Sequence, residues 1–426
     1  MNGCWKKGAL HTHSFWSDGE AFPEQVVLRH LERGYDFVCL TDHNNLGLDP
    51  QFWLYVIQPE QGPFPGGLPY IGGCVWQAAL DRYQADFPGL TETKTAADRK
   101  YVRVRSLPEV KSLFRRQRGF IVMGGEEVSF CLRTSRTRYQ LHMGVLNLEK
   151  QMDCLSGRSL PETLRKNKDL YDKIRKRQKA PSLFILNHPG GYYYDLEPEA
   201  LIENDDIRHF ELCNSNVDGV GGEGSFRHPL LYDNEKFWDI VNAHRAEDGK
   251  ALLLGAASDD SHYYTPERID LRTGVGRAWV MVNCPGRFHE NTVVEAMERG
   301  DYYPTLGVIF ESVSFEKGTL RIRIKPEEKQ KYTIRFVTTR RGFSRKVNSI
   351  DLTGDSPRPP RILSVYSNEI GCVAAEFAGT EAQYTMKPDD LYVRAVAVSD
   401  KATRCRGTRH PEFETAWTQP YRKNKS

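Results

Sequence analysis

Through the first 300 or so residues, short apolar runs alternate with amphipathic stretches, and the alternation itself predicts the fold class. Strand-like runs are GALHTH, YDFVCLTDH, GFIVMGGEEV, LHMGVLNL, SLFILNHP, IRHFELCN, ALLLGAASDD and GRAWVMVN. Helical spacing marks PEQVVLRHLERG, PETLRKNKDLYDKIRKRQ, NEKFWDIVNAHRAEDG and ENTVVEAMERG between them. Strands separated by helices predict an α/β fold with a parallel sheet and crossover helices. About seven or eight such units fit a closed (β/α) barrel, whose active site lies at the C-terminal ends of its strands.

Two stretches interrupt the pattern. Residues 44–108 are rich in Pro, Gly and aromatics, and 190–233 carry Tyr192-Tyr193-Tyr194 and the loop DGVGGEGSFRHP. Both are expected to cap the barrel mouth, where long loops shape access. The texture changes near residue 309. TLRIRIKP, KYTIRFVTT, CVAAEF and LYVRAVAVS alternate apolar and polar positions between turns, which predicts a C-terminal antiparallel β-sandwich over 309–426. The barrel is expected over 1–308.

Composition narrows the partners. The formal charge of the 426 residues is only +3, so no global field calls for a stable nucleic-acid complex. The basic stretch LRKNKDLYDKIRKRQK reads as one solvated helix face. No apolar run approaches the roughly 18 residues of a spanning helix, so no membrane association is expected. Nothing ahead of the first strand reads as a signal peptide, so none is expected in this sequence. The nine cysteines include no CxxC pair, which fits free thiols and a cytoplasmic location.

The candidate chemistry sits at the ends of the apolar runs. His11 and His13 are two apart, so on an extended strand they point to one side and share one target. Asp18, His43, Glu127, His142, His188, Asp260 and His262 follow in the segments SDG, LTDH, GGEEV, QLHMG, ILNHP and ASDDSH. Six imidazoles and three carboxylates suit Mn, Zn or Fe better than the all-oxygen shells of Ca or Mg. The other histidines (His30, His209, His228, His244, His289, His410) read as surface or core residues. The segments carry no cysteine, no Gly-x-Ser-x-Gly and no phosphate loop of the G-x-x-x-x-G-K type, which argues against a thiolate site, a covalent nucleophile or a nucleotide cradle.

The order HxH, SDG, TDH, GxEV, H-x4-N, NHP, DxH resembles the PHP (polymerase and histidinol phosphatase) family over residues 6–305. The resemblance implies a distorted (β/α)7 barrel carrying three divalent metal ions and a phosphoesterase activity. It places His11, His13, Glu127 and Asp260 on the first ion. Glu127 would bridge to a second, completed by His142 and His188, and Asp18, His43 and His262 would hold the third. Glu127, Asp260 and His262 are the residues from which catalysis is expected. Glu126 and Asp259 adjoin two of these ligands, and the GxEV and DxH patterns favour the second residue of each pair. Asp42 is expected to orient a ligand by hydrogen bonding.

Three divalent ions against three carboxylates leave a local charge of about +3, or about +2 with a bridging hydroxide, which attracts a phosphate ester and supplies a nucleophile near neutral pH. The expected reaction is hydrolysis of a phosphate mono- or diester, in a phosphorylated small molecule or an oligonucleotide-like substrate. Arg133, Arg136, Arg138, Arg227 and His228 are candidates for cationic help. Glu211 and Asn214, in an E-x-x-N pattern after a late strand, are candidates for contact with bound water or for holding the strand end. Two rivals stand beside this reading. An amidohydrolase-like enzyme acting on a C–N or C–O bond would use fewer ligands and often a modified lysine, and no strand-end lysine is present. A non-catalytic metal-binding module has no need of all nine ligands.

Overall fold

The structure, a computed structural model, describes residues 4–58, 74–133, 138–189, 196–216, 233–271, 273–351, 362–405 and 411–423. The chain opens with β1 (Trp5–Ala9), α1 (Pro23–Glu32) and β2 (Phe37–Leu40). Pro23 starts α1, where its missing N–H costs nothing; Val26, Val27 and His30 are buried, and Gly34 at φ +71° ends the turn. The first predicted cap follows as β3 (Trp53–Ile57), β4 (Cys74–Trp76), α2 (Gln77–Asp86), β5 (Thr93–Ala96) and β6 (Arg99–Arg103). These strands form a separate four-stranded sheet. It is tied down by packing of Tyr83 on Phe22 and by a hydrogen bond from Trp16 Nε1 to the Arg105 carbonyl.

Next come α3 (Leu107–Phe114), β7 (Ile121–Arg133), β8 (Arg138–Leu146), α4 (Leu160–Arg175), β9 (Leu183–Leu186), α5 (Pro198–Glu203) and β10 (His209–Asn214). They are followed by α6 (Asn234–Glu247), β11 (Leu254–Ser258), β12 (Trp279–Asn283), α7 (Glu290–Arg299) and β13 (Tyr302–Thr305). The C-terminal region is all strand: β14 (Phe310–Glu316), β15 (Thr319–Ile324), β16 (Tyr332–Arg340), β17 (Asn348–Asp351), β18 (Ile362–Val365), β19 (Cys372–Ala378), β20 (Glu381–Thr385), β21 (Asp390–Ala402) and β22 (Phe413–Trp417).

The result is a mixed α/β fold around one large sheet of thirteen strands, ordered β11-β10-β9-β8-β7-β2-β1-β12-β13-β22-β21-β16-β19. The sheet is mixed where the alternation predicted parallel pairing. β1–β2, β2–β7, β9–β10 and β10–β11 are parallel, but β8 runs antiparallel to both its neighbours, and β12 runs antiparallel to β1 and β13. The reason is covalent: β7 ends at Arg133 and β8 begins at Arg138, too short a link for a parallel crossover. β11 ends the sheet, yet just past it the chain curls back to β1. Thr12 bridges Ser261 in parallel, with His13 N donating to the Ser261 carbonyl at 2.9 Å.

Strands β2 and β9 are apolar throughout because both of their faces are buried. In β2, Val38 and Leu40 enter one core cluster and Phe37 and Cys39 the other; in β9, Phe184 and Leu186 divide from Leu183 and Ile185 in the same way. The C-terminal strands extend the same sheet through the pair Thr305↔Ala416. A second sheet, β14-β15-β20, contributes Phe310, Leu320 and Ile322 to a core shared with Ile334, Phe336, Val393 and Ala395 of β16 and β21. Among the described residues no helix is long and apolar enough to cross a membrane, and all nine cysteines are free.

Candidate metal centre

The candidate ligands come from both directions of the mixed sheet. His11 and His13 lie just past β1, His43 past β2, His188 past β9, and Asp260 and His262 past β11, while Glu127 and His142 sit within the β7–β8 hairpin. His142 reaches the site from an antiparallel strand because β7 and β8 are long. Their ladder sets Glu127 opposite Gly144 and Ser129 opposite His142. Asp18 is delivered by the turn after His13. That turn is closed by Gly19, where any Cβ would stand 2.3 Å from the His13 carbonyl oxygen.

All nine converge, and Glu127 is the centre. Its carboxylate has His43 Nδ1 at 2.8 Å, His11 Nε2 at 3.1 Å, His142 Nδ1 and His188 Nε2 each at 3.2 Å, and His13 Nε2 at 3.6 Å. Asp260 Oδ1 lies 3.1 Å from His13 Nε2 and 3.4 Å from His11 Nε2. Asp18 stands 3.3 Å from His13 Nδ1, 3.5 Å from His43 Nε2 and 3.4 Å from His262 Nε2. Ligand atoms of His13, Asp18, His43 and His262 form one compact group; His11, His13 and Glu127 form a second, His43, Glu127 and His142 a third, and His11, His188 and Glu211 a fourth.

The residues fit metal ions on a physical ground. His11 Nε2, His13 Nε2, Glu127 Oε2 and Asp260 Oδ1 are buried without a hydrogen-bond partner. Orphaned buried polar atoms are costly and rare. A tetrahedral ion with bonds of about 2.0–2.2 Å holds its ligand atoms about 3.3–3.6 Å apart, close to the 3.1–3.6 Å separations found here. Backbone conformation is consistent with a functional role. His188 has φ +26° and Asp260 φ +48°, a region that residues with a Cβ enter at a cost, and such strain gathers at functional sites.

Electrostatics couples the cluster. Burial disfavours charge on every group in it. For Glu127 and Asp260 the surrounding imidazoles outweigh burial and hold both carboxyls well below the usual range. Burial alone would lower His11, but Asp260, Glu127 and Glu211 raise it; His262 is pushed up to about 9 against burial by Asp18 and Asp260. His13, by contrast, falls to about 4 through burial and the neighbouring His262 and His43, and His142 falls to about 4 mainly through burial.

Adjacent acids separate cleanly. Glu126 turns away, with Oε1 accepting from Met152 N, and burial raises its carboxyl to about 8. Asp259 accepts from the backbone N–H groups of Gly276, Arg277 and Ala278 and from the Tyr35 hydroxyl. Asp42 accepts from Ser14 N, Ser14 Oγ and Ser17 Oγ, and Ser17 Oγ in turn lies 3.3 Å from His13 Nδ1.

Glu211 and Asn214 belong to the support of the cluster. Glu211 Oε1 meets His11 Nδ1 at 2.8 Å and accepts from Ser258 Oγ; its Oε2 accepts from His188 N and Asn214 Nδ2, each at 2.9 Å. Asn214 Nδ2 also donates to Asp260 Oδ2 at 3.2 Å. Besides Ser17 beside His13, sequence reasoning missed four such residues. Asn187 donates to Glu127 at 2.9 Å, Asn216 donates to Asp260 at 3.2 Å, Ser129 Oγ sits 2.6 Å from His43 Nδ1, and Ser258 bonds Glu211. Asn187 and Ser129 lie one and two residues from proposed ligands, and that adjacency was the available signal. Arg136, Arg227, His228 and the Tyr192–Tyr194 run lie outside the described residues, as do the side chains of Arg133 and Arg138 and all of His410. His30, His209 and His244 are buried, and His289 is exposed.

No family model and no curated protein matches the chain. Solved structures similar to it include the following three. A two-domain protein from Bacteroides vulgatus, containing a predicted PHP-like metal-dependent phosphoesterase, aligns over 98% of this chain and 96% of its own at 14% identity and a TM-score of 0.39. A candidate metal-dependent phosphoesterase from Bifidobacterium adolescentis aligns over 68% of this chain and 96% of its own, at 13% identity and a TM-score of 0.31. An amidohydrolase from Chromobacterium violaceum, with bound sulfate and no metal, aligns over 61% and 88% at 13% identity and a TM-score of 0.28. Two of the three are described as metal-dependent phosphoesterases.

Proposed function

We propose that the protein is a metal-dependent phosphoesterase of the PHP type, hydrolysing a phosphate mono- or diester on a distorted (β/α)7 barrel with an accessory β-sandwich from about residue 309. The observation that carries the reading is one buried carboxylate, Glu127, among five imidazoles, where its own Oε2 and three neighbouring ligand atoms lack hydrogen-bond partners. His11, His13, Glu127 and Asp260 would hold one divalent ion. Glu127, His142 and His188 would hold a second, and Asp18, His43 and His262 a third, with Mn, Zn or Fe the metals that suit this mixture. When bound, such ions acidify water toward neutrality and neutralise charge on phosphoryl oxygens.

The chain's own residues set the geometry. Glu211 fixes the ring of His11 from behind, and Ser129 and Ser17 do the same for His43 and His13. Asn187, Asn214 and Asn216 hold the two central carboxylates in place. Burial keeps bulk water from competing for the deep ligands.

The test pairs metal analysis of the purified protein with assays on nitrophenyl phosphate and bis(nitrophenyl) phosphate, alongside amide and lactone substrates. Bound divalent metal with turnover of a phosphoester is the expected result. A metal-loaded protein that cleaves only the amide or lactone would establish the rival chemistry, and one that turns over nothing would speak for a binding module.

A further inference from the structure

The nine ligands differ sharply in exposure. Side chains of His11, His13, Glu127, His188 and Asp260 are all but inaccessible, and His142 is 9% exposed. Asp18 is 42% exposed, His43 27% and His262 15%. Among the described candidate ligands, the exposed side chains therefore all belong to one group, Asp18, His43 and His262.

Anchoring follows the same gradient. Glu127 and Asp260 each accept hydrogen bonds from buried asparagine side chains. For Asp18 the hydrogen bond is a long one from its neighbour Ser17, at 3.4 Å, in a turn rather than a strand.

We propose that the ion held by Asp18, His43 and His262 exchanges with solvent independently of the deeper pair, so that occupancy of this outer position follows the free divalent metal concentration and regulates the site. The inference rests on the three-ion reading above. Removing the outer ion leaves Asp18 facing water, which screens its charge. Removing a deep ion leaves Glu127 and Asp260 crowded among imidazoles where water cannot take its place, a larger cost than at the exposed position. Stepwise replacement of ligands by water is also open only at the exposed position. Affinity and exit rate thus both single out the outer ion.

The experiment follows metal content over time in the Mn-loaded full chain after addition of EDTA and rapid desalting. About one third of the metal should leave in a first phase, about tenfold or more faster than the rest. Asp18→Asn and, separately, His43→Gln should purify with two ions per chain and lack the fast phase. Loss of three ions in a single phase, or loss of the deep pair in both variants with the fold intact by circular dichroism, overturns the proposal while leaving the phosphoesterase reading in place. Binding of no more than one ion by the unmodified chain overturns both.

Discussion

Asp260 and Asp239 are both buried aspartates, and the fold treats them in opposite ways. Asp239, on α6, accepts from Arg394 Nε at 2.8 Å, Arg394 Nη2 at 2.7 Å and the Tyr392 hydroxyl at 2.8 Å, and Glu235 accepts a third guanidinium bond at 2.9 Å. Asp239 and Arg394 are both paired there, and the cluster joins α6 to β21. Gly371 packs against it so closely that a Cβ would stand 2.5 Å from Asp239 Oδ2. Asp260 instead keeps Oδ1 without a hydrogen-bond partner, on strained backbone, beside imidazoles that are similarly orphaned. Paired buried charge holds elements together, whereas buried carboxylate and imidazole atoms that converge without hydrogen-bond partners form the arrangement a bound cation would satisfy.

Substitutions at the two aspartate clusters should therefore fail differently. Asp260→Asn should leave the fold intact by circular dichroism and lower kcat/KM by on the order of 10³-fold, as expected when several kcal/mol of ion-mediated stabilisation is lost. If it unfolded the protein instead, the contrast would break. Arg394→Ala should do the reverse, costing about 3–5 kcal/mol of stability in urea titration by leaving Asp239 buried and unpaired. A stability change under about 1 kcal/mol would show that this cluster is not structural in the sense argued.

Glu211 sharpens the comparison because it combines both characters, being fully hydrogen-bonded and also in contact with His11. Glu211→Gln should weaken metal affinity or turnover by about 10–100-fold, the effect usual for a group that orients a ligand. Calorimetric metal titration measures it, and an unchanged affinity would move Glu211 to the purely structural class.

The smallest effect concerns a buried imidazole outside both clusters. His30 is fully enclosed, with Nδ1 2.8 Å from the Val26 carbonyl, and burial lowers it to about 4. Because its folded pKa lies below the unfolded value, its contribution to stability is complete above about pH 6.5 and is lost as pH falls toward 4. Between pH 7 and 5 this amounts to about 2 kcal/mol, and His30→Gln should flatten that part of the urea midpoint profile. A variant as acid-sensitive as the parent would assign the whole effect to other groups.

Much of the site could be read from the chain because metal chemistry restricts residue types. Histidines two apart at the end of an apolar run, repeated by Asp260 and His262, and acids beside Gly or His are few enough to be picked out one by one. Their supports were less visible: Asn187, Asn216, Ser129 and Ser258 are common polar residues, and only their contacts give them a role. The fold class followed from the alternation of strands and helices, but the direction of β8 did not, since apolar periodicity is the same for parallel and antiparallel pairing.

By itself, the sequence determined the candidate ligand types, their order and the parity that puts Glu126 and Glu127 on opposite faces of β7. Which face would meet the other ligands was decided only by the tertiary structure, through the curl of the large sheet that returns Ser261 to Thr12 and brings β1, β7, β9 and β11 to one focus. The physical reason is range. Residue type and alternation are local properties, whereas a buried carboxylate among five imidazoles exists only once segments as much as 250 residues apart have packed together.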